Sequence, residues 1–374
     1  MFFPLGLLAG IWGVMMWPLV YAGGLGFYPG EAHTRLMIEG FLGAFVAGFL
    51  GTAFPRLSGN KPWFGGEFGF LLLLWGLAVA SHSRGQVAAG DAAFAGFLTL
   101  LFVGLVTRWF LGAGDTPPPG FVLVMGGIVG GAVSAGMLAN GGLSAPDWQA
   151  GRLFLLQGFP LLPVMGIGPY VLPRFFGHPS GHSFDESPTP PKGWMKRAAA
   201  SAAAGSLVVA GFFWESRGHA AAGQLLRAVT ILGWFAIETP WLRKARKPTT
   251  PGNAIRWAFA SMVAGLVCAA FWPQARIGSL HLFFVAGLGL ATLAVATRVV
   301  LGHAGRHDLL QKRIVWLRWV TGLLALAALT RMTSDFIPKV TVSHHIYAAW
   351  SWAAGCMVWL IAVARYFFRR EEDS

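Results

Sequence analysis

The sequence predicts an all-α polytopic membrane protein of about twelve transmembrane helices. Three observations carry this expectation. Of the 374 residues, 55% are hydrophobic and 11% charged, whereas soluble domains carry about 25% charge. The apolar runs are continuous and as long as a bilayer is thick, not alternating as in a transmembrane barrel. The breaks between runs are alternately rich and poor in Lys and Arg, as the positive-inside rule expects. A mean hydropathy of +0.59 excludes soluble globular, disordered and disulfide-stapled secreted classes.

Taken in order, the apolar runs place spans at about residues 5–27, 33–54, 68–82, 91–112, 121–140, 150–171, 194–214, 220–241, 254–273, 280–301, 313–330 and 342–367. No Lys or Arg precedes Arg35, so residues 3–27 lack the basic start of a signal peptide and read as a retained first span. In the second span Gly40, Ala44, Gly48 and Thr52 form a small-residue stripe at spacing four, which points that face into the bundle. Thr107-Arg108-Trp109-Phe110-Leu111-Gly112 ends the fourth span and Thr297-Arg298-Val299-Val300-Leu301-Gly302 ends the tenth. This shared pattern, six spans apart, suggests two six-helix halves, 1–171 and 194–374. The Pro-rich stretch 172–193 would join them as a solvated cytoplasmic connector.

The formal charge is +13. All but eight of the 28 basic residues fall in the loops after even-numbered spans or in the C-terminal tail. The clearest groups are Arg243-Lys244-Ala245-Arg246-Lys247, Lys312-Arg313 and Arg369-Arg370. That pattern speaks for topology and contact with anionic lipid in the bilayer, not for nucleic acid, and puts both termini in the cytoplasm. Cys268 and Cys356 lie inside apolar runs, so no disulfide framework is expected.

The same topology sorts the ten histidines. His178, His182, His303 and His307 fall on the cytoplasmic side; His33, His82, His219, His281, His344 and His345 fall at outer span ends. Six imidazoles in one leaflet suit haem iron or copper. His33 and Met37 share a helix face. His281 is expected to open the tenth span, where a helix N-terminus keeps a ring neutral. His344 and His345 are adjacent, hence about 100° apart, and only one of them faces a given metal. The metal-ligand candidates are His33, His281, His344, His345, His219 and Met37. Arg35 is the candidate bidentate partner of a haem propionate. His82 is expected among lipid headgroups, and Glu39 and Glu238 are the carboxylates expected within spans. No catalytic residue is assigned. There is no P-loop, HExxH or GxSxG motif, and without CxxCH any haem is non-covalent.

Leu280-His281-Leu282 together with Ala294-Val295-Ala296-Thr297-Arg298-Val299-Val300-Leu301-Gly302-His303-Ala304-Gly305-Arg306 resembles the most distinctive stretch of the NnrS family. There a His opens a helix that ends in an R-x-x-L-G-H-T-G-R-like segment. His33-Thr34-Arg35-Leu36-Met37-Ile38-Glu39-Gly40-Phe41, followed by Ala47-Gly48-Phe49-Leu50 and Pro55, resembles that family's HAHEMLFGF…AGFL…P segment. Pro173-Arg174-Phe175 is a weaker third match. The chain departs from the pattern at Arg35, where the family has a second His, at Leu36, where it has Glu, and at Tyr170, where it has Arg. The ninth span also lacks the His expected there.

The resemblance implies a membrane protein carrying haem b, with copper as a further metal, that acts in nitric oxide metabolism and tolerance of nitrosative stress. Two functions follow. One is a haem protein that binds nitric oxide and reduces or detoxifies it, an oxidoreductase, its electrons drawn from a quinol or a periplasmic cytochrome. The other, suited by twelve spans, a six-plus-six repeat and the Pro/Gly breaks at Pro160, Pro163 and 166–169, is a transporter of haem, copper or a small solute.

Overall fold

A computed structural model describes residues 1–111, 114–246 and 248–367. Gly112 of the repeated pattern, Lys247 of the basic cluster, and Arg369 and Arg370 of the tail lie outside the described residues. Among those residues there is no strand, and twelve helices are long and apolar enough to cross a membrane. They are α1 (Phe2–Tyr21), α2 (Gly30–Leu57), α3 (Gly65–Ser83), α4 (Val87–Phe110), α5 (Phe121–Asn140), α6 (Ala145–Phe176), α7 (Trp194–Ser216), α8 (Ala220–Glu238), α9 (Thr250–Phe271), α10 (Pro273–His303), α11 (Val315–Phe336) and α12 (Pro338–Ala364). The chain is an all-α multi-pass membrane protein.

Each span is helical because lipid offers no partner to a free backbone N–H or C=O. Neighbours in sequence pack as antiparallel pairs, and α12 returns against α1. The three longest helices, α2, α6 and α10, are also the most deeply buried. They are rich in Gly and Pro, which lets neighbouring backbones approach. The stripe on α2 behaves accordingly along most of its length. A Cβ at Gly6 of α1 would lie 2.7 Å from the Ala44 Cβ, and one at Gly48 would lie 2.8 Å from Phe3. Thr52, at the end of the stripe, is exposed instead. Backbones touch outright where α5 starts: a Cβ at Gly120 would sit 2.0 Å from the Gly166 carbonyl oxygen.

Proline leaves carbonyls to be satisfied, and side chains from other helices do this. Pro169 in α6 has no N–H for the Met165 carbonyl; Trp234 of α8 donates its indole N–H to that oxygen at 2.9 Å. Wide π-helical turns interrupt α2 at Leu36–Leu42 and α10 at Leu282–Gly289. Such turns reset the faces of a helix and often mark functional sites.

Three sequence expectations need correction. The connector is not simply solvated: His182 is buried, and its Nε2 pairs with Glu238 Oε2 at 3.0 Å. Polar residues missing from the expected intramembrane set are Asp91 of α4 and Glu215 of α7, both buried. Glu215 pairs with Arg227 of α8 and with Arg276 of α10. Finally, α10 starts at Pro273, so His281 stands in its third turn and not at a helix N-terminus. Both cysteines are free, as expected.

Twelve spans place both chain ends on one face. Alkaline phosphatase fused after Ser374 is expected to be inactive, and the same reporter after Gly142, between α5 and α6, active. An active reporter at both positions would contradict the even span count.

Candidate metal centre

The ends of α1 and α11 and the starts of α2, α10 and α12 meet at one end of the bundle. His33 of α2 is the first ring there. Its Nδ1 lies 3.0 Å from the Gly13 carbonyl of α1. Gly13 makes this approach feasible, since a Cβ there would come within 2.9 Å of the Leu36 Cβ. His281 of α10 places Nδ1 2.8 Å from the Ile277 carbonyl, one turn earlier in its own helix. A carbonyl only accepts, so in both rings Nδ1 carries the proton and the neutral Nε2 presents a lone pair. His345 of α12 has Nδ1 2.7 Å from the Tyr21 hydroxyl of α1, and its buried Nε2 has no partner.

Trp17 of α1 links two of these rings, with edge-on contacts at 5.9 Å to His33 and 5.0 Å to His345. His281 lies within electrostatic reach of His33, His345 and Arg331. Arg331 of α11 also acts on Tyr21 and is itself paired with Asp335. The result is a group of three imidazoles, one tyrosine, one indole and one guanidinium at one end of the bundle.

The structure therefore brings together His33, His281 and His345 of the expected ligands. His344 also has Nδ1 near the carbonyl one turn back, that of Val340 at 3.1 Å, but its ring lies near Tyr347, whereas the His345 ring lies against Trp17 and Tyr21. His219 is exposed at the α7–α8 turn. Met37 packs over Gly13, its Sδ 3.6 Å from where a Cβ would stand. His303 ends α10, 22 residues beyond His281, or about 33 Å along a straight helix. Trp17, Tyr21 and Arg331 were not anticipated. The i,i+4 spacing of Trp17 and Tyr21, which puts both on one face of α1, was the available signal.

Arg35 and His82 belong to a second cluster, which overturns both of their expected roles. Arg35 is almost wholly buried and bonds both oxygens of Asp91, Nε to Oδ1 at 2.8 Å and Nη2 to Oδ2 at 3.2 Å. It also faces Glu39 one turn along α2 at 3.3 Å and Glu31 at 3.2 Å. Glu31 in turn pairs with Arg152 of α6 at 2.9 Å. Arg35 thus spends three of its five N–H groups on Asp91 and Glu31, and its single charge already faces three carboxylates, so a propionate there would add a fourth negative group. His82 is not among headgroups; it is fully buried, with Nε2 2.8 Å from Glu39 Oε2.

Among the described residues, Glu39, His82 and Asp91 are the one group of three or more such donor atoms within 4.8 Å of one another. They do not fit a metal ion as they stand, because Arg35 occupies both oxygens of Asp91 and supplies the countercharge. The cluster reads as a structural knot that joins α2, α3 and α4.

A sequence model of the family described as NnrS protein matches residues 1–370. No curated protein matches the chain.

Removing Arg35 strands two buried carboxylates. Arg35→Met is expected to cost about 3–5 kcal/mol, while replacing the ion pair as a unit with Arg35→Met/Asp91→Leu should restore much of the loss. Thermal unfolding of the purified proteins checks this; equal stability of the single variant and the wild type would refute the role given to Arg35.

Proposed function

The chain belongs to the NnrS family of membrane proteins related to nitric oxide, and from that premise we propose that it holds non-covalent haem b through imidazoles drawn from His33, His281 and His345 and binds nitric oxide there. The observation that supports this reading is the shared orientation of the three rings. Each has Nδ1 engaged by a carbonyl or hydroxyl, and none has a hydrogen-bond partner at Nε2 among the described residues. The carbonyl bonds at His33 and His281 fix the tautomer that leaves Nε2 a lone pair, whereas the Tyr21 hydroxyl can donate or accept, so His345 presents a lone pair at Nε2 when its Nδ1–H donates to Tyr21.

Bound there, haem supplies a reducible iron that takes nitric oxide as a ligand, and conversion of two nitric oxide molecules to nitrous oxide and water consumes two electrons and two protons. The chain's own groups supply the setting. Gly13 and Ile277 hold two rings by backbone, which ties ring position to helix position. Tyr21 holds the third. Trp17 covers the gap between His33 and His345 and keeps water from their faces. Arg331, paired among the described residues with the single carboxylate of Asp335, would in place of Arg35 compensate a propionate carboxylate. Copper has less support, since the compact Glu39–His82–Asp91 group is filled by Arg35. We place the protein in the bacterial inner membrane with cytoplasmic termini, its electrons drawn from a quinol or a periplasmic cytochrome.

Purified protein is expected to show a Soret band that shifts when nitric oxide is added to the reduced form. Alanine at His33, His281 or His345 should remove or displace the band, while His344→Ala and His219→Ala should leave it in place. A folded, colourless, metal-free preparation would overturn the proposal and favour transport.

A further inference from the structure

At the opposite end of the bundle the connector folds over a cavity of about 330 Å³. Its walls come from Pro173 at the end of α6, Arg197 of α7, Ile237 and Glu238 at the end of α8, and the following loop through Arg246.

The charges around it do not balance. Arg197, Arg243 and Arg246 line the cavity against a single carboxylate, Glu238. That carboxylate is already committed, pairing with His182 at 3.0 Å and with Arg197 at 3.2 Å. The Arg243 and Arg246 side chains make no hydrogen bond or ion pair among the described residues. Their backbone is nevertheless fixed. Arg246 N–H donates to the Phe176 carbonyl at 3.0 Å and Arg243 N–H to the Pro240 carbonyl at 3.0 Å. Arg256 of α9 donates to the Trp241 carbonyl at 2.9 Å and the Arg243 carbonyl at 2.6 Å. Gly181 lies against the Arg197 guanidinium, which a Cβ would approach to 3.1 Å. Two exposed, unpaired arginine side chains thus stand on a loop whose backbone is anchored beside a polar cavity.

The rim adds a second feature. Ile237, 79% exposed, lines the cavity, and Leu242, 64% exposed, precedes Arg243. Helix α8 ends at Glu238, so these side chains stand where a bilayer meets water. Apolar side chains beside unpaired arginines at that depth match a phosphate group attached to an acyl chain.

We propose that this cavity binds the phosphate of an anionic phospholipid headgroup, with Arg243 and Arg246 as its principal donors and Ile237 and Leu242 against the acyl chains. Glu238 holds Arg197 and His182 in place and keeps the cavity closed toward the connector.

The test is native mass spectrometry of the delipidated full-length protein in detergent, offered phosphatidylglycerol or phosphatidylcholine. Wild type is expected to retain one phosphatidylglycerol in preference to phosphatidylcholine, and Arg243→Gln/Arg246→Gln to weaken that retention about tenfold or more. Both side chains are unpaired, so the variant should keep the wild-type melting temperature. Lys312→Gln/Arg313→Gln, which removes two charges from another loop on the same face, should retain the lipid as wild type does. Inorganic phosphate added as competitor separates the two sources of the group. Displacement at millimolar levels shows a free-phosphate site on the same arginines; no displacement shows a lipid site. Equal retention of the two lipids without phosphate competition, undiminished retention by the Arg243/Arg246 variant, or equal loss in the Lys312/Arg313 control would overturn the proposal.

Discussion

A lipid environment gives a polar group nothing to bond, so charged side chains within the spans are stabilised by partners from other parts of the bundle. Helix α2 shows how far this condition organises the molecule. Within seven residues it carries His33, held by a carbonyl of α1, Arg35, held by Asp91 of α4, and Glu39, paired with His82 of α3. Three neighbours are therefore located against α2 by hydrogen bonds as well as by packing. The wide turn at Leu36–Leu42 lies among these contacts, where an added residue per turn lets successive side chains address different neighbours.

The division between the two clusters at this end follows from charge. The cluster around Arg35 sets one guanidinium against Asp91, Glu39 and, at the rim, Glu31. His33, His281 and His345 face a cation, Arg331, whose own partner Asp335 lies one turn away. One group is saturated and holds helices together. The other has free nitrogen lone pairs. That contrast distinguishes a structural knot from a candidate cofactor site in two groups of similar composition.

Much of the architecture was legible in the sequence, because span length and hydropathy are local properties. The second span, expected at about 33–54, is Gly30–Leu57, and the sixth, expected at about 150–171, is Ala145–Phe176. The site was legible only in part. His33 and His281 could be singled out, but nothing in a sequence chooses between His344 and His345; the 100° between them is resolved by where α12 packs on α1. Asp91 and Glu215 sit near span ends, where a lone acid looks like an interfacial residue until its arginine partner is known. His182 reads as loop for the same reason, since Glu238 lies 56 positions away. Arg35 looked available because Asp91, which takes two of its hydrogen bonds, lies 56 positions away in another helix.

The pairing of Glu215 with Arg227 bears on how the chain enters the bilayer. The two residues are 12 apart and face each other across the short turn between α7 and α8. Arg227 is fully buried, and a lone guanidinium would resist partitioning from the translocation machinery into hydrocarbon. Delivered as a hairpin, α7 and α8 present a neutralised pair. Biogenesis of this region is thus expected to proceed two helices at a time, with α7 retained beside the exit site until α8 has been synthesised.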